Sequence, residues 1–259
     1  MRIKSKLLLS AIGFSLLAAG CGGGGEEPAQ EAQTPSGDKP AVMAAAGSST
    51  INGTVNFTGT APAAKRINQD QECRVLHTEP VYSQNVIVNE NGTLRNVFVY
   101  VKEGLGDRKF DPPSEPVVFD QKGCVYEPHV FGVQKGQTIK ILNSDPLLHN
   151  IHALPKDNRP FNFGMPKQGD VRERSFKKTE VMVKIKCDVH PWMGAYCGVL
   201  DHPFFSVSGD DGSYSIKDLP AGEYVIEAWH EKYGTLTQTI TVGDDETTTA
   251  DFSIGKTSS

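Results

Sequence analysis

Three side chains that bind metal ions follow one another at intervals of three positions near residue 190. They are Cys187, His190 and Met193, in the stretch Cys187-Asp188-Val189-His190-Pro191-Trp192-Met193. A thiolate, an imidazole and a thioether are donors that hold copper in electron-transfer proteins. A fourth donor must come from elsewhere, and the best candidate is His149, just past an apolar run at residues 139–142 and a turn signal. We therefore predict a mononuclear type 1 copper site, with His149, Cys187 and His190 in a trigonal set and Met193 as a weak axial ligand.

The elements that must position these ligands are β-strands. Residues 180–185 alternate between polar and apolar side chains before Cys187, and residues 195–200 continue after the ligand loop. This alternation is typical of half-buried strands. We expect the ligand loop to join two strands, with a long loop over residues 155–169 elsewhere in the same region.

The histidine ligand has an alternative, because His152 follows His149 by three positions. At the start of a strand, side chains with that spacing point to different surfaces, so only one of the two can enter a shared site. His129 follows a proline on a predicted strand and is assigned to packing. The other three histidines, His77, His202 and His230, have no companion at ligand spacing and receive no role.

These stretches resemble the cupredoxins, the blue copper proteins, and above all their amicyanin-like and plastocyanin-like members. The resemblance covers residues 116–202 and includes the Cys-x-x-His-x-x-Met loop, the His149-Asn150-Ile151-His152 run, and residues 127–138. It implies a cupredoxin-like β-sandwich and selects His149 over His152 as a ligand. It also implies that Asn150 ties the two ligand loops together and that one edge of His190 lies near the surface, as the exit for the electron. Packing of Trp192 would help to orient the ligands.

Other chemistry has little support in the sequence. Zinc would take further Cys or His pairs rather than a methionine, and a binuclear copper centre needs a second cysteine between Cys187 and Met193. The sequence also contains no haem-attachment motif, no Gly-rich phosphate loop and no nucleophile elbow. With all four copper positions filled by protein, no position remains for a substrate, so we expect no enzymatic activity.

The start of the chain predicts export and a lipid anchor. Arg2, Lys4 and Lys6 precede an apolar run at residues 7–17, which is too short to cross a bilayer and is followed by small residues. Residues 1–20 are thus predicted to be a lipoprotein signal peptide, and Cys21 resembles the lipid-acceptor cysteine of bacterial lipoproteins. The alternative is an ordinary cleaved signal with a stray cysteine. Residues 21–49 have the composition of a flexible tether, so we expect the protein to lie in the periplasm or cell envelope, anchored to a membrane.

The three cysteines not yet assigned are Cys73, Cys124 and Cys197. In an oxidising compartment they should form one disulfide and leave one thiol, and three pairings are possible. We favour Cys73 with Cys124, because Cys197 falls in a probable core strand where it can be buried as a small hydrophobe.

The last part of the chain has the turn pattern of a second β-sandwich. Residues 209–226 place an Asp-Gly turn and a Pro-Ala-Gly turn between alternating segments. Residues 203–255 resemble the carboxypeptidase regulatory-like domains, which have an Ig-like or transthyretin-like fold and act as non-catalytic modules. Residues 50–110 resemble the opening strands of the same module, with a hairpin expected between residues 85–88 and 96–101. Our hypothesis is that both segments form one sandwich, into which the copper domain is inserted.

Together these patterns predict an all-β protein that carries single electrons in a periplasmic or cell-surface redox chain. Its redox partner protein cannot be named from the sequence. The net charge of −5 gives no basic surface for nucleic acid. The alternatives are a copper buffer or delivery protein with the same ligands, and a surface interaction protein in which the sandwich carries a role without redox chemistry.

Overall fold

Residues 47–255 are described by the computed structural model, and they are almost entirely β-strand. The all-β fold class predicted from alternation is therefore confirmed. The predicted signal peptide (1–20), Cys21 and nearly all of the tether (21–49) lie outside the described residues. No helix within the described part of the chain is long and apolar enough to cross a membrane.

Seventeen strands and one turn of helix follow each other along the described chain. In order they are β1 (Ser49–Thr58), α1 (Gln71–Arg74), β2 (Phe98–Glu103), β3 (Val117–Lys122), β4 (Val125–Glu127), β5 (Val130–Gln134), β6 (Ile139–Asn143), β7 (His149–Leu154), β8 (Phe161–Met165), β9 (Val171–Arg174), β10 (Glu180–Lys186), β11 (Gly194–Leu200), β12 (Phe205–Val207), β13 (Ser213–Leu219), β14 (Gly222–His230), β15 (Gly234–Val242), β16 (Thr247–Thr249) and β17 (Phe252–Gly255).

Strands β3 to β11 form what we call the inner sandwich. One sheet has the order β5-β11-β10-β7-β8 and the other has the order β4-β3-β6-β9. Alternate residues of each strand point inward, as in β6, where Ile139 and Ile141 are buried. They pack with Ile151 and Val183 of the facing sheet in one core. Burial of this apolar area is the main force that holds the two sheets together.

The prediction of a long loop at residues 155–169 is wrong, because strand β8 lies within this segment. Phe161–Met165 pairs antiparallel with β7, in a register that sets Ile151 opposite Phe163. The segment does alternate, with Phe161 and Phe163 on one side, but the surrounding Pro, Asn and Gly residues hide this period. Pairing with β7 and stacking of the two rings on the sheet outweigh the local preference for a loop.

The remaining strands form the outer sandwich, with sheets β13-β1-β16, to which β17 adds through β1, and β12-β2-β14-β15. Strands β1 and β2 come from before the inner sandwich in the chain, and their partners come from after it. Ile51 lies opposite Ile216, for example, and Val99 lies opposite Ala228. The inner sandwich is thus inserted between β2 and β12 of the outer one.

The hairpin expected at residues 85–88 and 96–101 does not form as a pair of strands. One isolated bridge, Val88 to Leu94, lies next to the turn, and another links Thr93 to Asn56 of β1. The turn at Gly92 is present, with the positive φ of 80° that glycine tolerates. The backbone hydrogen bonds after the turn are divided between the hairpin, as in Arg95 N–H to Ile87 O, and β1, as in Leu94 N–H to Val55 O, so tertiary pairing competes with the hairpin.

The two sandwiches meet at a small apolar cluster around Phe98 of β2, which packs with Tyr100, Val130 and Leu200. The Phe98 ring lies flat against glycines of the inner sandwich: a Cβ at Gly198 would come within 2.5 Å of its ring. A buried hydrogen bond of 2.5 Å between His129 Nε2 and Glu231 Oε1 also spans the junction. His129 is buried, in agreement with its assignment to packing, but it also has this polar function.

Candidate metal centre

Two neighbouring strands bring the predicted ligands to one end of the inner sandwich. Strand β7 begins at His149, and the loop between β10 and β11 carries Cys187, His190 and Met193. Because β7 and β10 pair antiparallel, with His152 opposite Lys186, the start of β7 lies beside the end of β10. The two loops therefore share one edge of the sheet.

His149, Cys187 and His190 converge in the interior. Their donor atoms all lie within 4.8 Å of one another. The two Nδ1 atoms are 2.9 Å apart, and Cys187 Sγ lies 3.9 Å from His190 Nδ1. The three side chains are 0%, 2% and 4% exposed, respectively. Two imidazole nitrogens and a sulfur that face one another in a buried pocket match the donor set that copper takes in blue copper sites.

The environment of Cys187 favours its thiolate. Burial tends to raise its pKa, but hydrogen bonds from His149 and from the backbone N–H groups of Asn150, His190 and Val189 outweigh this and lower it. One of them joins His190 N to Cys187 Sγ at 3.3 Å. A thiolate is the form of cysteine that binds metal.

Met193 closes the ligand loop. Its N–H donates to His190 O at 2.9 Å, and its carbonyl accepts from Cys187 N at 3.2 Å. These two bonds turn the loop back on itself between β10 and β11. Met193 is buried in the same core as the other candidate ligands.

Asn150 joins the two ligand loops. Its Oδ1 accepts the N–H of Asp188 at 2.6 Å, and its Nδ2 donates to Asn162 Oδ1 at 2.7 Å. The residue after Cys187 is thus held by the residue after His149. This is the role that the cupredoxin resemblance implies for Asn150.

Asp145, which the sequence analysis did not single out, orients His149. Its Oδ2 accepts a hydrogen bond of 2.8 Å from His149 Nε2, and its two oxygens accept the N–H groups of Gly123 and Cys124 at 2.7 and 2.8 Å. Burial lowers the pKa of His149, but the hydrogen bonds with Asp145 and Cys187 outweigh it and raise the pKa to about 8. With Nε2 engaged, Nδ1 is the nitrogen that faces Cys187 and His190, as a metal ligand requires.

His190 is covered, which contradicts the expectation of an edge near the surface. Cys73 and Cys124 form a disulfide, the pairing that we favoured, and donor atoms of both lie within 4.8 Å of His190. Asp70 Oδ2 lies 3.7 Å from His190 Nε2, and Asp70 Oδ1 accepts the N–H of Cys73 as the N-cap of α1. We call Asp70 and helix α1 the cap. The segment between β1 and β2, which has no counterpart in the resemblance, places the cap over the imidazole.

Trp192 contacts both the ligand loop and the disulfide. Its ring centroid lies 5.2 Å from that of His190, and its Nε1 donates to Cys124 O at 2.9 Å. The indole therefore lies against the imidazole of His190, while its N–H is held by the turn that carries the disulfide. Trp192 is half-buried, so part of the ring stays in contact with solvent.

The remaining candidates lie outside the cluster. His152 is half-buried at the surface, where its Nδ1 is 2.9 Å from Asp188 Oδ2. Cys197 is buried in β11, and burial raises its pKa well above the usual value. His77 bonds the Gly123 carbonyl at 2.6 Å. None of these side chains joins the group formed by His149, Cys187 and His190.

Comparisons with known proteins give similarity only at the level of structure. Neither the family models nor the curated proteins compared with the sequence give a match. A copper-containing nitrite reductase from Thermus scotoductus is 22% identical over 34% of this chain and 23% of its own, with a TM-score of 0.30. A Cu(I) form of an amicyanin variant is 21% identical over 32% and 81%, with a TM-score of 0.29. A purple cupredoxin from Nitrosopumilus maritimus is 22% identical over 32% and 98%, with a TM-score of 0.27.

The chain thus spans less than a quarter of that reductase, and each similarity covers about a third of the chain. At such identities and TM-scores these similarities carry no argument about chemistry. What bears on function is the chain's own donor set, which fits copper by type and by position.

Proposed function

We propose that this protein holds one copper ion in a type 1 site and carries single electrons. The observation that supports the proposal is the convergence of His149, Cys187 and His190 in a buried pocket. His149 and His190 would bind through Nδ1 and Cys187 through its thiolate, with Met193 as the axial donor. When bound, copper supplies one-electron chemistry at a site that needs little rearrangement between the two oxidation states.

The protein around the site limits that rearrangement. Asp145 holds the ring of His149, and Asn150 holds the loop of Cys187, so both ligands are positioned before the metal arrives. Such outer contacts tune a metal site as much as the ligands do. Since all four copper positions would be filled by protein, the proposal includes no catalytic activity.

The location and partners are also part of the proposal. The predicted signal peptide and Cys21 support an exported lipoprotein of the periplasm or cell envelope, and the tether supports movement above the membrane. The donor and acceptor of the electron would be other redox proteins. The outer sandwich, with its carboxypeptidase regulatory-like turn pattern, would act as a non-catalytic spacer.

One observation favours a second function, a copper buffer or delivery protein. The cap covers His190, the ligand that offers the usual exit for an electron, and a buffer needs no such exit. A buffer would use the same ligands but would exchange its metal readily and would lack a reversible redox couple. A third function, a surface interaction protein, would leave the copper site without a role.

A visible absorption spectrum of the purified, copper-loaded and oxidised protein separates these functions. We expect an intense thiolate-to-copper band that is lost in Cys187→Ser. Cys197→Ser, which removes the other free thiol found in residues 47–255, is the matched control and should keep the band. A colourless protein that still binds copper would support the buffer, and a protein that binds none would leave the interaction role.

A further inference from the structure

A cleft of about 530 Å³ opens where the ligand loop meets the junction of the two sandwiches. Pro191, Trp192 and Met193 line part of it, so the cleft borders the loop that carries the candidate copper ligands. Val189 of the ligand loop is also exposed, but it lies outside the cleft. A partner seated in the cleft would lie against Pro191 and Trp192 of the ligand loop.

The cleft is strongly cationic although the chain as a whole carries a net charge of −5. Five of its lining residues are cations that come from three separate parts of the fold: Lys65, Arg66, Lys184, Lys186 and Lys232. Only one carboxylate lines it, Glu231. Cations that converge in a concave surface raise the local concentration of anions and speed their association.

Most of this positive charge is not neutralised by neighbouring acids. Within residues 47–255, no carboxylate lies within 4.0 Å of the charged groups of Lys65, Arg66 or Lys184. Lys186 pairs with Asp188 at 2.7 Å. Lys232 lies 3.8 Å from Glu231 Oε2, so Lys65, Arg66 and Lys184 are the three lining cations without a carboxylate neighbour in the described part of the chain. Glu231 is 3% exposed and is also hydrogen-bonded to His129 at 2.5 Å, so it presents little negative charge to the cleft surface.

The cleft also has apolar and aromatic surface. Trp192 and Tyr196 line it together with Pro191. Aromatic rings at the centre of a polar rim are typical of surfaces that bind other proteins. The ring of Trp192 in turn contacts His190, with centroids 5.2 Å apart, so a molecule in the cleft is one side chain away from a candidate ligand.

We infer that the cleft is the docking site for the acidic face of a redox partner protein, which places surface carboxylates among these lysines and exchanges electrons past Trp192. The inference rests on the proposed function and adds to it the charge of the partner and the place where it binds. It assigns to Lys65, Arg66, Lys184 and Lys232 a role in recognition that is separate from metal binding.

A first test does not depend on copper. Hexacyanochromate(III), a paramagnetic anion, is added to the metal-free protein at low ionic strength, and line broadening is followed by NMR. We expect broadening of residues 184–186 and 191–196, and its loss in Lys184→Glu/Lys232→Glu. Broadening that is absent, or that is centred elsewhere on the protein, would overturn the inference.

A second test measures electron transfer by the copper-loaded protein. Ferricyanide should oxidise Lys184→Glu/Lys232→Glu about tenfold more slowly than the unmodified protein at low ionic strength. Oxidation by the cationic tris(phenanthroline)cobalt(III) should become faster, and about 0.3 M salt should abolish both differences. Lys109→Glu/Lys217→Glu, with the same change in net charge away from the cleft, is the control.

If ferricyanide oxidised the control variant equally slowly, the effect would come from net charge alone. That result would contradict a docking site in the cleft. The two proposals fail separately. A protein that shows no blue colour after copper loading refutes the electron carrier, whereas the hexacyanochromate experiment on the metal-free protein still decides whether the cleft binds anions.

Discussion

The carboxylate of Asp145 connects a candidate copper ligand to the disulfide, because its Oδ2 lies 2.8 Å from both His149 Nε2 and Cys124 N. One buried side chain thus positions the imidazole and the turn that carries the disulfide. Since Cys124 of the same turn is bonded to Cys73 of the cap and accepts a hydrogen bond from Trp192, the candidate metal pocket and its covering share one set of contacts.

Asp145→Asn is expected to weaken copper binding by a factor of about 10 to 100, the usual cost of losing a carboxylate behind a ligating histidine. The amide cannot accept from His149, Gly123 and Cys124 in the same way, so the ring loses its fixed orientation. Competition with a chromogenic copper chelator measures the affinity. Asp157→Asn, which changes an exposed carboxylate, serves as the control, and equal affinity in the two variants would show that Asp145 has no positioning role.

Removal of the disulfide in Cys73→Ser/Cys124→Ser should destabilise the protein by about 4 kcal/mol on the chain-entropy model. The two cysteines are 51 positions apart, and the crosslink holds the cap against the inner sandwich. Urea unfolding gives the free energy, and amide hydrogen exchange at residues 70–77 reports whether the cap opens. Unchanged exchange there would mean that Asp70 and His77 hold the cap without the crosslink.

Gly198→Ala should destabilise the protein by about 1 to 3 kcal/mol, the usual range for overpacking. The new methyl group would lie 2.5 Å from the ring of Phe98, which has no room to move in the junction of the sandwiches. Gly209→Ala, where the nearest atom to the new Cβ is 3.8 Å away, is the matched control. The two variants are compared by urea unfolding, and equal stability would contradict tight packing at the junction.

The pair of His129 and Glu231 should make stability depend on pH. Burial tends to raise the pKa of Glu231, but the hydrogen bond and charge of His129, with help from Asn85 and Lys232, lower it below 4.5. A carboxyl whose pKa is lower in the folded protein contributes stability above its unfolded pKa, and this contribution is lost as the pH falls through the folded value.

In Glu231→Gln we therefore expect a loss of about 2 kcal/mol at pH 7, as for a lost hydrogen bond to a charged group, and a smaller decline in stability at acid pH. Urea unfolding between pH 3 and 7 measures both effects. Glu223→Gln, on an exposed part of β14, should follow the unmodified protein. A pH profile of Glu231→Gln parallel to that of the unmodified protein would refute the assignment.

The candidate ligands were accessible to sequence reasoning because their chemistry is local. Cys187, His190 and Met193 are recognisable by donor type and spacing, and the chain contains few residues of these types. Asp145 and Asp70 were not found, because the chain has 31 acidic residues and only the folded structure selects which of them meet a histidine. The position of Asp70 three residues before Cys73 is a helix-cap signal, which could have directed attention to it once Cys73 was assigned to a disulfide.

Strand β8 and the segment between β1 and β2 were misread for a related reason. Both depend on partners far away in the chain, β7 for the first and β1 for the second. Short segments that contain Pro, Asn and Gly have weak local preferences, so tertiary pairing decides their conformation. The same dependence on distant residues explains why the predicted exposure of His190 was wrong. The cap that covers this side chain begins more than a hundred residues before it in the chain.

The insertion of one sandwich in another has a consequence for the order of folding during synthesis. Strands β1 and β2 emerge early, but some of their contacts, such as Thr54 N to Asp251 Oδ1, join residues 197 positions apart. The inner sandwich is complete once residue 200 has emerged, whereas β1 and β2 lack their sheet partners until β12, β13 and the later strands emerge. Pairings of such high contact order form slowly, and unpaired strands are prone to aggregate. The nascent chain therefore passes through a half-assembled stage in which a metal pocket exists before the scaffold that surrounds it.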